Sequence, residues 1–245
     1  MKKTFTLLLL YFICFGCSKP SDCIESTGTI ITKEVQVSTF DKLKVYQGIS
    51  VIITEGTIQK VEIETGENLM GDIEVKVENG MLILKDNTTC NWVRDYGQTI
   101  VRVTSPNITD FISKTEKNIS SNGILHFPII RLQAIDLTDG AGTGDFHFQV
   151  DNNQVVIESN NVSNFYISGQ TTDFTANFYE GNGRIEAQNL IANNISIFQR
   201  GSNDMILKPL ESIKGNIYST GNVICKNYPP IVEVNVFYQG QLIFN

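Results

Sequence analysis

Histidine is almost missing from this 245-residue chain, with only His126 and His147 present. Without paired histidines, and with the single Cys-x-x-Cys spacing, Cys14-Phe-Gly-Cys17, sitting at the end of the apolar N-terminal run, no ready set of transition-metal ligands exists, and none is expected. Tryptophan occurs once, as Trp92 beside Arg94, and reads as a loop residue plugged onto the core rather than a sugar platform. Charge is sparse at 18%, and acids (26) outnumber bases (19) for a formal net charge of −7. An acidic surface repels phosphate backbones, which excludes nucleic acid as a partner and peripheral binding to anionic lipid. No segment carries a sustained 3.6-residue apolar stripe, so long helices are excluded. The apolar run Leu7 to Phe15 is too short to cross a bilayer, which takes roughly 20 residues. No nucleophile-elbow motif accompanies the histidines.

What the chain does have is a rhythm. From Ile130 to Asn245 a few alternating apolar residues are followed by a Gly/Asn-rich corner and then another short apolar strand. The strands after the corners begin at Phe146, Phe165, Ile185, Met205, Val223 and Leu242, in steps of 19, 20, 20, 18 and 19. A period near 20 built from strands and tight corners is the mark of a solenoid. The expected fold is all-β: a right-handed parallel β-helix-like solenoid with coils of about 20 residues. Gly and Asn suit the corners because they tolerate positive φ. Strand side chains alternate, so Phe146, Phe165, Ile185, Met205, Val223 and Leu242 should form one inward column. Phe148, Ile167, Ala187, Leu207, Cys225 and Phe244 should form a second. The residues between them, His147, Tyr166, Glu186, Ile206, Ile224 and Ile243, should face outward. Acids do not stack in that outward column, which argues against a polysaccharide-cleaving site. Ile206, Ile224 and Ile243 would instead make an exposed apolar stripe, a candidate interface for a second copy or a partner.

The N-terminus reads as a targeting segment. Lys2 and Lys3 precede the apolar run, which ends in Cys14-Phe-Gly-Cys17 and resembles a bacterial lipobox. Residues 1–16 would then be a lipoprotein signal peptide, Cys17 the lipidated residue, and residues 17–33 a tether holding the chain to the membrane. Cleavage removes two lysines and leaves a formal charge of −9. Cys23, Cys90 and Cys225 remain beyond the lipobox. Cys225 falls in an inward column and should be a buried, inert thiol. Cys23 and Cys90 lie in polar surroundings and are expected to pair as a disulfide.

Residues 34–105 read as short strands and hairpins, with Asn79-Gly80 between alternating apolar runs as the strongest turn signal. Residues 106–245 form the repeat half. Phe40-Asp-Lys-Leu-Lys-Val-Tyr-Gln-Gly-Ile-Ser-Val-Ile-Ile, followed by Gly66-Glu-Asn-Leu and Val77-Glu-Asn-Gly-Met-Leu, resembles the opening of the head GIN-domain family, adhesin-like lipoproteins of Bacteroidetes. The name motif Gly-Ile-Asn stands here as Gly48-Ile49-Ser50. The family's Gly-Ser-Gly corners are degraded to Gly142-Thr-Gly144, Gly181-Asn-Gly183 and Gly201-Ser-Asn203. The resemblance covers residues 35–245 and implies a parallel β-helix-like fold without an established biochemical activity.

Gly140-Ala-Gly-Thr-Gly-Asp145 is similar to a single calcium-binding nonapeptide, but such sites need successive turns stacked and the later corners lack the Asp pattern. No metal and no cofactor are expected. The leading functional expectation is an outer-membrane lipoprotein, on the periplasmic or the surface face, that serves adhesion, binding or scaffolding. Its partner would be a second copy, a protein or a glycan. The alternative is a polysaccharide-active enzyme on the same scaffold.

Overall fold

The structure is a computed structural model and describes residues 26–88, 99–136, 139–140 and 142–245. Cys17, Cys23, Cys90 and Trp92 lie outside the described residues, as does any Cys23–Cys90 bond. Among the described residues there is no helix, and so none long and apolar enough to cross a membrane. The chain is an all-β solenoid of about six turns with a repeat of about 21 residues.

Among the described residues, eighteen strands build it. The first ten are β1 (Ile30–Val35), β2 (Lys42–Tyr46), β3 (Ile49–Glu55), β4 (Lys60–Gly66), β5 (Ile73–Glu78), β6 (Met81–Asp86), β7 (Thr99–Ser105), β8 (Asp110–Lys114), β9 (Ile119–Leu125) and β10 (Ile129–Ala134). Three long strands follow: β11 (Phe146–Ser159), β12 (Asn164–Phe178) and β13 (Arg184–Gln199). The C-terminal coils carry β14 (Met205–Leu207), β15 (Pro209–Ile217), β16 (Val223–Cys225), β17 (Ile231–Val236) and β18 (Leu242–Phe244).

Two parallel ladders run the length of the molecule. One stacks β7, β3, β9, the first halves of β11 to β13, β14, β16 and β18. The other stacks β6, β2, β8, β10, the second halves of β11 to β13, β15 and β17. The core lies between them. Phe146 pairs with Phe165, Phe165 with Ile185, Ile185 with Met205, Met205 with Val223, and Val223 with Leu242. The column expected from spacing is therefore the inward column. All but its last member are fully buried, and the Phe146 and Phe165 rings stack at 5.0 Å. Each coil alone exposes its apolar face, and stacking buries it against the next. Cys225 is a fully buried free thiol in this core, where burial pushes its pKa up to about 12.

Residues 34–105 combine hairpin and solenoid. β5 and β6 form the antiparallel hairpin signalled by Asn79 (φ 51°) and Gly80 (φ 75°), while β2, β3, β6 and β7 are rungs of the parallel stack. Pairing begins at Ile30, because β1 lies antiparallel on β4 and β4 antiparallel on β7. That start falls inside the segment read as tether. β1 is mostly exposed and lacks the inward alternation on which a sequence boundary depends. The two ends of the solenoid differ. Lys60 bridges Glu34 and Glu62, and Lys76 bridges Glu74 and Glu78, so charged antiparallel strands blunt the N-terminal end. In the last coil, residues 227–245, Glu233 is the single charged side chain.

Close packing of coils leaves no room for a side chain at certain points. At Gly169, with φ +107°, a Cβ would sit 2.0 Å from the Val150 carbonyl oxygen of the rung before. At the Gly181 corner, with φ +89°, it would sit 2.2 Å from the Asn161 carbonyl oxygen. Only glycine combines that backbone conformation with that approach.

Candidate functional site

The outward column is continuous. His147 pairs with Tyr166, Tyr166 with Glu186, Glu186 with Ile206, Ile206 with Ile224, and Ile224 with Ile243. The three isoleucines thus stand on successive rungs of one face, as their spacing implied. They are half-buried rather than fully exposed, because rungs about 4.8 Å apart cover one another's flanks.

At the other end of this column the ladder is interrupted twice. Between β9 and β11 the partner of His147 is Ser120 and that of Gln149 is Ile124, so Ser121, Asn122 and Gly123 together oppose Phe148. Between β12 and β13 the partner of Tyr166 is Glu186 and that of Ser168 is Asn189, so Ala187 and Gln188 together oppose Ile167. Extra residues in a strand kink it out of the sheet and re-aim its side chains. The two bulged strands bracket the β11–β12 pair and raise walls on either side of it. The result is an open trough of about 420 Å3, floored by His147, Gln149, Tyr166 and Ser168 and walled by Asn122, Glu186, Gln188 and Asn189. This feature is not visible in residue spacing. Its one sequence signal is Ser121-Asn-Gly123, which reads as a corner and lies inside β9.

The chemistry of the trough is polar and close to uncharged. The His147 and Tyr166 rings lie parallel with centroids 4.6 Å apart. They cover one another's faces, and both side chains are exposed. Glu186 is held by Arg184, which also reaches Asp204, and these carboxylates keep the guanidinium charged. The Gln188 Oε1 is shut off from solvent and accepts no hydrogen bond. Elsewhere polar side chains on neighbouring coils bond each other. Asn164 donates to Asp145, Asn194 to Asp173, Asn222 to Asp204, and Asn235 to Asn216.

Two other groupings are structural. Lys114, with its side chain only 3% exposed, donates to Ile135 O (2.7 Å), Gly140 O (2.9 Å) and Asp139 Oδ1 (2.9 Å), using all three ammonium hydrogens. Lys44 reaches the other Asp139 oxygen, and the two lysines hold that carboxyl well below the usual carboxylate range. This clasp pins the Gly-rich segment and leaves no free cation. Tyr179, Phe198, Tyr218 and Phe237 form an aromatic ladder with centroid spacings of 5.9, 5.2 and 4.8 Å. Sequence reading missed it, although its steps of 19, 20 and 19 are those of the repeat. Among the described residues no three His, Cys, Asp or Glu side chains converge as metal ligands.

Residues 39–229 match the family described as "Putative auto-transporter adhesin, head GIN domain". The chain belongs to that family. No curated protein matches the GIN-domain chain in sequence. Among solved structures it is similar to a putative adhesin from Bacteroides fragilis, at 20% identity and TM-score 0.80 over 90% of this chain and 100% of the other. A putative adhesin from Parabacteroides merdae gives 17% identity and TM-score 0.64 over 90% and 98%. A protein described as a putative lipid binding protein from Parabacteroides distasonis gives 17% identity and TM-score 0.62 over 90% and 99%. At these identities the likeness is one of fold.

Proposed function

We propose that this GIN-domain chain is a non-enzymatic adhesin-type lipoprotein of the outer membrane, which presents its outward column to a partner. The observation carrying this reading is the unbroken column from His147 to Ile243, polar at one end and apolar at the other, in which Glu186 is the lone carboxylate and is already engaged by Arg184. Acid-base cleavage of a glycosidic bond uses a facing pair of carboxylates. The solved adhesin-named relatives share the scaffold and support the same reading.

Anchoring is through Cys17. The described chain begins beside the charged, antiparallel end, so a lipid there turns that end toward the bilayer and sets the column running away from it. Cys23 pairs with Cys90, since Cys225 is committed to the core. The stripe of Ile206, Ile224 and Ile243 meets a second copy or a protein partner. Protease treatment of intact cells tests surface display, with Cys17→Ser expected to move the protein out of the membrane fraction. Full protection of the wild-type chain on intact cells excludes an adhesin. Ile224→Asp with Ile243→Asp should lower oligomeric mass or partner capture, and an unchanged result removes the stripe from the proposal. Turnover of polysaccharide by the purified chain would replace the whole reading with an enzymatic one.

A further inference from the structure

We propose that the trough over β11 and β12 binds an uncharged oligosaccharide, a specificity that deepens the adhesin reading and rests on it. Three observations converge. First, the site is built by the fold, since two independent bulges, in β9 and β13, flank one strand pair, and among the described residues no other pair on this ladder meets a register shift at both neighbours. Second, its polar groups are unspent. The side chains of Gln149, Tyr166, Gln188 and Asn189 make no hydrogen bond within the described protein, whereas Asn164, Asn194, Asn222 and Asn235 are each tied to the neighbouring rung. Gln188 Oε1 lacks a donor as well, but solvent is excluded from it, so the groups open to a ligand are those of the exposed Gln149, Tyr166 and Asn189. Third, the charge balance selects the ligand. No lysine lines the trough, and the carboxylate in its wall is neutralised by Arg184, so neither an anionic polysaccharide nor a basic peptide finds a counter-charge.

Amide and hydroxyl groups repeated on successive rungs match a chain that carries hydroxyls at regular intervals. The four rungs from Asn122 to Asn189 span about 14 Å at the usual strand spacing, room for a few sugar units laid along the solenoid axis. An extended peptide is disfavoured by the floor. Its strands are hydrogen-bonded on both sides, so no free backbone edge is offered for strand addition.

The test is an array of neutral and anionic oligosaccharides probed with the full-length chain in detergent, beside the double variant Gln149→Ala, Asn189→Ala and the single variant Gln188→Leu. Neutral oligosaccharides should bind, the double variant should bind at least tenfold more weakly, and both variants should melt within a few degrees of the parent. Binding confined to anionic glycans, binding untouched by the substitutions, or capture of peptides but not glycans from a parallel peptide array would each overturn the assignment. A blank array overturns it too. Protein-dependent attachment of whole cells then tells the two readings apart: if attachment persists, adhesion stands and only the glycan is lost.

Discussion

Two neighbouring residues on one strand test the register of the whole solenoid. Phe165 points inward, fully buried, with its ring 5.0 Å from Phe146 and 6.0 Å from Phe178. Tyr166 points outward, 39% exposed, and touches the His147 ring. Replacing a buried phenylalanine by alanine costs about 3–5 kcal/mol, the spread depending on how far the surroundings collapse. Collapse is restricted here, because the rungs on either side are held at fixed spacing by backbone ladders. Phe165→Ala should therefore lie near the top of the range, about 4–5 kcal/mol, which also removes two ring pairs. For a chain of this size that is a fall in Tm on the order of 10–15 °C. Tyr166→Ala loses one exposed stack and should cost about 1 kcal/mol or less. Thermal melting followed by far-ultraviolet circular dichroism, with urea titration as the second measure, reads both. Equal costs for the two substitutions, or a larger cost for Tyr166→Ala, would mean that inside and outside are exchanged and would refute the inward column.

Gly169→Ala should be more damaging than an ordinary strand substitution, by several kcal/mol, because it adds positive-φ strain to a Cβ placed 2.0 Å from the Val150 carbonyl; soluble yield and Tm measure it, and a near-wild-type Tm counts against so close an approach of the coils. Asp139 has a depressed pKa in the folded state, so its contribution to stability is complete above the unfolded value of about 3.9 and is lost as pH falls below it. Asp139→Asn should lower Tm at pH 7 and flatten the acid side of the Tm-versus-pH curve, and parallel curves for the two proteins would dissolve the clasp argument. Cys225, with its pKa pushed up to about 12 and its side chain fully buried, should resist iodoacetamide at pH 8 and react once urea unfolds the chain. Peptide mass mapping reads that site apart from the other cysteines.

The inward column was legible because two simple periods coincide. Strand alternation selects every second residue, and the coil repeat returns the same face after about 20, so Phe146, Phe165, Ile185, Met205, Val223 and Leu242 could be aligned by counting alone. Cys225 followed from the same register. The trough was hidden because a bulge breaks that arithmetic: one added residue, Gln188, shifts everything after it by one place against β12 while leaving composition unchanged. The clasp was hidden for another reason. Lys44, Lys114 and Asp139 are far apart along the chain, and only the parallel stacking of β2 on β8 brings the lysines together. The aromatic ladder was within reach, since it keeps the repeat's own step, but its members sit at or just past strand ends, where alternation no longer says which way a side chain points.

Rung-on-rung pairing also dictates how such a chain can change length. One residue inserted into β12 without a bulge to absorb it would turn every later side chain of that strand to the opposite face, expelling Phe174 and Ala176 from the core. Excising residues 165–184 is a different operation, because Ile185 already pairs where Phe165 stands and would settle directly on Phe146. Coils are therefore the unit in which this solenoid can be shortened or extended without disturbing its register, and changes of other sizes need a corner or a bulge such as that at Gln188 to absorb them. Such a deletion would carry away Tyr166 and bring Glu186 against His147, so a change in length by one coil would also rewrite the face that the protein presents.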